Sequence, residues 1–437
     1  MTPRWLSRPN LSRQLLLAGS LSLFGAAEAR AQAAVPVFNS GDTAWVLASA
    51  ALVMLMTPGL GLFYGGMVRR KNVLGTILQS LIMVALIGVQ WVVFGYSLAF
   101  SPGNEWFGGL SWAWLNHLTP FSDSAPTIPH AAFAVYQCMF AIITPALITG
   151  AFAERVRFRG FILFSLLWAT VVYDPVAHWI WGGGYWSKLG AIDFAGGAVV
   201  HITAGFSALA LALLLGNRRG YGVERMVPHN MTMVLIGTGL LWFGWFGFNA
   251  GSALAANGTA ANAFIATNTA GSVAALVWCL LEAFHRGKAS ALGAASGAIA
   301  GLAAITPASG YVGVAEALVI GVVASVLCYG AILMKVKLGY DDSLDAFGVH
   351  GVGGLWGVLA TGLLANPAYG GHSGWFYGNR SLFMVQAQMA LATAAYSLVF
   401  TVLLFLLVDK TVGFRAEARD EDMGLDLSQH GEEGYGS

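Results

Sequence analysis

"DFAGGAVVHITAGFSALALALLLGNRR" (residues 193–219) opens on a carboxylate, carries a histidine at position 201, runs apolar to Leu215 and stops at two arginines. A helix needs ~20 largely apolar residues to cross a bilayer core ~30 Å thick. A carboxylate and an imidazole are expensive there unless they face a pore or a partner. The stretch reads as one span of a multi-span membrane protein, with Asp193 at its mouth and His201 inside it.

The whole chain has the same character. Its 437 residues are 57% hydrophobic and 10% charged, where soluble chains carry about 25% charged residues. This excludes an ordinary soluble fold. The net charge of +1 says little by itself, whereas the distribution of charge along the chain says much; no nucleic-acid partner is expected. Cys138, Cys279 and Cys328 fall in apolar runs without a CxxC pair. They read as small packed hydrophobes, not as disulfides or metal ligands.

Residues 1–31 have the pattern of a secretory signal peptide. Arg4, Arg8 and Arg13 precede "LLLAGSLSLFGAA", and a small-residue site follows, with cleavage expected after Ala31 or Ala33. That places the mature N-terminus outside.

Beyond residue 40, eleven apolar spans are expected, at about 43–67, 73–100, 131–153, 158–182, 195–216, 229–253, 260–285, 289–306, 312–333, 345–366 and 383–409. Sixteen Lys and Arg residues follow the odd-numbered spans, among them Arg69, Arg155, Arg218, Lys335 and Arg415. Only Lys188 and Arg380 follow even-numbered ones. Basic loops mark the cytoplasmic side. The N-terminus is therefore expected outside and the C-terminus inside, which an odd number of spans satisfies. Glycine, 56 residues in all, falls inside spans and reads as close helix packing.

The chain also hints at internal symmetry. The fifth span begins with Asp193 and carries His201; the tenth begins near Asp345 and carries His350. Five spans separate them, so two such repeats are inverted across the membrane, a transporter pattern. His201 lies ~12 Å below Asp193 and His350 ~8 Å beyond Asp345, at 1.5 Å per residue. The two histidines approach the midplane from opposite faces. A second pattern is aromatic. Trp181 closes the fourth span, Tyr136 and Phe140 share one face of the third, and Phe248 and Ser252 lie a turn apart in the sixth. Ring faces around a hydroxyl suit a small cation.

"TPGLGLFYGGMVRRKNVL", "GAFAERVRF", "YDPVAHWIWGGG", "DFAGGAVVHITAG", "GWFGFNAGSA" and "DDSLDAFGVHGVGG" resemble the ammonium transporter (Amt/MEP/Rh) family, in its bacterial Amt branch, from about residue 42 to the C-terminus. The resemblance implies an all-α polytopic fold of eleven transmembrane helices with an inverted five-plus-five repeat over residues 42–410. A cytoplasmic tail would follow at 411–437. It implies a homotrimer with one pore per subunit in the cytoplasmic (inner) membrane of a bacterium, and no cofactor. Carried over by position, Trp181, Ser252 and Tyr136 resemble the outer recruitment site for ammonium, and Asp193 the acid that shapes it. Phe140 and Phe248 resemble the phenyl gate. His201 and His350 resemble the pore pair that lines the path and relays protons. Several family members have Phe where this chain has Tyr136. The tail string "GLDLSQHGEEGY" resembles the segment through which relatives touch neighbouring subunits and a PII-type signalling protein.

The function expected is transport of ammonium or ammonia, not catalysis. Ammonium would bind outside, lose its proton near the phenyl gate and pass the histidines as ammonia. An ammonium sensor acting through a PII-type partner is the alternative. A haem site on His201 and His350 is disfavoured by the scattered cysteines and the absence of HExxH.

Overall fold

The computed structural model describes residues 38–435; the expected signal peptide lies outside them. The described residues are helical, with β-pairing only as isolated bridges. Ten helices are long and apolar enough to cross a membrane: α1 (Ser40–Met67), α2 (Arg70–Phe100), α3 (His130–Phe152), α4 (Phe158–Lys188), α5 (Gly197–Leu215), α6 (Met231–Ala253), α7 (Gly258–Arg286), α9 (Val314–Leu338), α10 (Phe347–Leu364) and α11 (Arg380–Thr411). Between them α8 (Ala291–Ile305) occupies the place of the expected eighth span but has 15 residues. That is ~22 Å at 1.5 Å per residue, short of a bilayer core. The chain continues past it in turns, with Ala308 N–H donating to Ile305 O at 2.9 Å and Tyr311 N–H to Ala308 O at 2.7 Å.

Short polar residues start these apolar helices. The side chains of Asn39, Asn230, Asn257, Ser290 and Asn379 each accept a backbone N–H from the first turn, which pairs one donor that a helix start leaves open. Large apolar side chains such as Leu81, Ile236, Leu276, Val319 and Leu391 face outward. Such a surface is stable in lipid and a liability in water.

The helices cross closely where side chains vanish. A Cβ on Gly205 of α5 would lie 2.1 Å from the Gly351 nitrogen of α10, and a Cβ on Gly354 would lie 2.7 Å from His201 Cβ. No larger residue fits at either position, so these glycines bring the two histidine-bearing helices together. Both helices open with a wide π-turn, Gly197–Ile202 and Phe347–Gly351, and each π-turn holds its histidine. Single π-turns concentrate at functional sites.

The basic loops gather at one end of the bundle, the basic end; the other is the distal end. At the basic end an ion-pair knot ties α1, α3, α5 and α9 together. Arg218 grips Asp341 through two bonds of 2.8 and 2.9 Å. Buried Arg155 stands 3.5 Å from Asp341 and donates to Ser343 at 2.5 Å. Glu154 meets Arg69 at 2.7 Å. Burial lowers the Arg155 pKa to about 10, with Asp341 pulling it back up. The tail packs under this end as α12 (Ala418–Met423) and a π-turn, Asp426–His430. The Asp426 carboxylate accepts from Leu74 and Gly75 N–H at 3.0 and 2.8 Å, and Tyr435 reaches His229 at 2.9 Å.

Candidate functional site

At the distal end a cavity of about 240 Å³ is lined by Gln137, Phe140, Trp181, Asp193, Phe194, Ser252 and Tyr311, among others. Trp181 is held by its indole N–H, which donates to Asp193 O at 2.7 Å. Its ring meets Phe140 edge-on, centroids 5.8 Å apart. Ser252 closes the α6 end, its hydroxyl 2.9 Å from Phe248 O.

Tyr136 stands behind this wall and is fully buried. Its ring packs on Phe140 at 5.0 Å. Its hydroxyl reaches Gly247 O at 2.9 Å, Phe248 O at 3.0 Å and Ser252 Oγ at 3.1 Å. The Tyr136 hydroxyl thus fastens α3 to the end of α6.

Asp193 does not reach into the cavity as a bare charge. Its Oδ1 accepts from Gly196 and Gly197 N–H at 2.8 and 2.7 Å, and its Oδ2 from Ala198 and Val199 N–H at 2.8 and 3.2 Å. One carboxylate pairs four donors at the start of α5. The turn requires Gly196 at φ +114°, a conformation open to glycine. Burial raises the Asp193 pKa, and the four N–H groups oppose that shift.

Asp342 repeats the device at the basic end. Its Oδ1 accepts from Ala346 N–H at 3.0 Å and its Oδ2 from Phe347 N–H at 2.8 Å. Asp342 precedes His350 by eight residues, as Asp193 precedes His201. Three residues after each acid the backbone turns left-handed, at Gly196 and at Asp345 (φ 62°). The counterpart of Asp193 ahead of α10 is therefore Asp342, not Asp345 as the sequence suggested. Asp345 instead pairs with Lys335. Burial first, and then the Asp345 charge, push the Asp342 pKa up to about 6, against the pull of Lys335.

Between the two acids runs a column of rings. Phe140 and Phe248 pack with centroids 4.4 Å apart and planes tilted by 45°, and close the distal cavity from below. Under them Phe248 faces His201 at 6.1 Å, and His201 lies nearly parallel to His350, centroids 5.2 Å apart and planes 15° apart. The two Nδ1 atoms are 3.3 Å apart. A void lined by Leu60, Ile143, Leu147, Leu241, Trp245 and both histidines is about the size of one water. A second, about 30 Å³, runs from His350 toward Tyr64, Ser296 and Asp345.

Trp181, Ser252, Asp193, Phe140, Phe248, His201 and His350 fall along this one line, with Tyr136 set behind it and Asp345 turned away to Lys335. Four others went unnoticed. Gln137 lines the distal cavity, and its buried Oε1 has no hydrogen-bond partner. Thr306 and Trp245 contact His201. Asp342 was discoverable from the eight-residue spacing; the other three carried no local signal.

An aromatic-walled cavity leading through apolar space to a histidine pair, within a helical membrane bundle, defines a transporter or channel for a small solute, not an enzyme. Known proteins narrow this class. Residues 44–435 match the model of the Ammonium Transporter Family. An ammonium transporter of Bacillus subtilis is 49% identical over 400 residues, 90% of this chain and 98% of that one. The crystal structure of Saccharomyces cerevisiae Mep2 superposes with a TM-score of 0.83 at 36% identity, covering 87% of this chain and 88% of that one. A structure described as a sensor Amt protein superposes with a TM-score of 0.83 at 28% identity, covering 89% and 98%. The chain belongs to the ammonium transporter family.

Proposed function

We propose that the protein moves ammonium across the cytoplasmic membrane of a bacterium. In this reading eleven segments cross the membrane, α8 doing so together with the turns that follow it, the distal end faces outward and the tail lies inside. Ammonium is recruited in the distal cavity against Trp181, with Ser252 as acceptor, Tyr136 bracing the wall and Asp193 shaping the mouth. The ion loses its proton above Phe140 and Phe248, because desolvation disfavours a charge below them. Ammonia crosses the apolar lumen along His201 and His350, which also offer a proton route.

The observation that carries this reading is the unbroken column of rings from Trp181 to His350. Potassium matches ammonium in size and charge but cannot shed a proton, so the apolar segment excludes it. The test is flux into liposomes holding the purified protein. Ammonium and methylammonium are expected to enter and potassium to stay out; potassium entry at a comparable rate would overturn the reading. Current recorded in the same preparation reads whether the proton follows.

The likeness to a protein described as a sensor Amt and the tail docked under the bundle favour a second reading. In it the chain also reports ammonium to a PII-type partner at the cytoplasmic face. A homotrimer with one path per subunit accompanies either reading.

A further inference from the structure

The histidine pair has a proton-ordering problem, and its surroundings solve it. Two facing Nδ1 atoms 3.3 Å apart bond only when one carries the hydrogen and the other a lone pair. Two neutral imidazoles thus hold opposite tautomers, and without a bias the arrangements interchange. His201 has one further polar neighbour: its Nε2 lies 3.3 Å from Thr306 Oγ1. Thr306 is itself committed. Its hydroxyl lies 2.8 Å from Leu302 O, one turn back, to which it donates. The buried Trp245 indole N–H donates into the same oxygen at 3.0 Å. With its hydrogen spent on the shorter contact, Thr306 meets His201 with a lone pair.

We infer that Thr306, braced by Trp245, fixes the tautomers of the pair, so that His350 Nε2 is a bare acceptor in the lumen. The chain of donors runs one way. His201 Nε2–H donates to Thr306, leaving His201 Nδ1 bare. His350 Nδ1–H donates to His201 Nδ1, leaving His350 Nε2 bare. His350 lines both the void under Phe248 and the one leading to the basic end. An N–H donor descending from the phenyl gate then meets its acceptor at the lower histidine. Thr306 and Trp245 are positioning residues: they act through His201. The inference rests on the reading that the pair lines the path, but its direct test needs no ammonium.

That test is solid-state NMR of the full-length protein in lipid bilayers with 15N-labelled histidine, the pair assigned by His201→Asn and His350→Asn. Wild type is expected to show His350 protonated at Nδ1 and bare at Nε2, and His201 the reverse. Thr306→Val keeps the shape and removes the oxygen, and both histidines should become tautomer mixtures. Thr306→Ser should restore the wild-type pattern. A wild-type His350 bare at Nδ1 overturns the inference, and so does an unchanged spectrum in Thr306→Val. The wild-type spectrum decides even where the valine variant does not fold. Uptake in the same bilayers separates the two claims. Thr306→Val should lose about fivefold in ammonium flux, the worth of one hydrogen bond. No wild-type flux at all would sink the transport reading and leave the tautomers standing.

Discussion

Asp193 and Asp342 are one device built twice, at opposite ends of the path. Each carboxylate accepts backbone N–H groups across a left-handed turn, and each stands eight residues ahead of a histidine in a π-turn. The two histidine-bearing helices thus open with the same hydrogen-bonded turn. The copies differ in load. Asp193 carries four N–H groups, whereas Asp342 carries two and has Asp345 as a neighbour.

The heavier load makes Asp193 the less replaceable acid. Asp193→Asn keeps one acceptor oxygen and turns an amide N–H₂ toward two of the four donors, besides losing the charge. Ammonium uptake should fall at least about tenfold, as one charge-assisted bond lost requires. Asp193→Ala should also cost at least about 2 kcal/mol, since buried donors lose their partner. Wild-type uptake in a folded Asp193→Asn variant would refute the shaping role.

Gln137 lines the cavity proposed to receive a cation with four N–H donors, and its buried side-chain oxygen is unpaired. Gln137→Leu keeps similar bulk and removes that acceptor. The concentration for half-maximal ammonium uptake should rise about tenfold, the loss of one hydrogen bond to a charged donor. Maximal flux should change little, because Phe140, Phe248 and the histidine pair are untouched. Unchanged half-saturation would make Gln137 a packing residue.

How much of this was readable beforehand follows from range. Apolar runs, basic loops and the histidines of the fifth and tenth expected spans are written locally, and the structure placed His201 and His350 at bonding distance. The aromatic line was legible because i, i+4 spacing fixes shared helix faces. Thr306 follows α8 directly, yet it meets His201 across 105 positions of chain; no local pattern predicts such a contact. Asp345 drew attention because it lies nearer His350, but a left-handed backbone turns it toward Lys335. Spacing counted from the histidines, not from the apolar edge, picks out Asp342.

The basic-end knot should behave as a unit. Asp341 is bound by Arg218 and faces Arg155, whose guanidinium is buried. Removing one partner of a buried ion pair leaves the other charge uncompensated, at about 3–5 kcal/mol. Asp341→Ala should lower thermal stability by that order. Adding Arg218→Met should recover only part of it, because Arg155 stays unpaired. Full recovery in the double variant would show that Arg155 does not depend on Asp341.

Asp342 gives the fold a pH dependence whose sign can be worked out. Burial and Asp345 raise its pKa from 3.8 to about 6 in the folded protein. Between those values the folded state binds the proton more tightly than the unfolded chain does, so stability is greatest below pH ~4, falls as pH rises to about 6, and is flat above it. Asp342→Asn removes the titration while keeping one acceptor for Ala346 or Phe347. The thermal midpoint of purified wild type, minus that of Asp342→Asn, should therefore decline as pH rises from 4 to 6 and then level off. Taking the difference cancels the other acids, which both proteins share. A difference that stays constant, or rises with pH, would mean that Asp342 is ionised throughout and that Lys335 outweighs its burial.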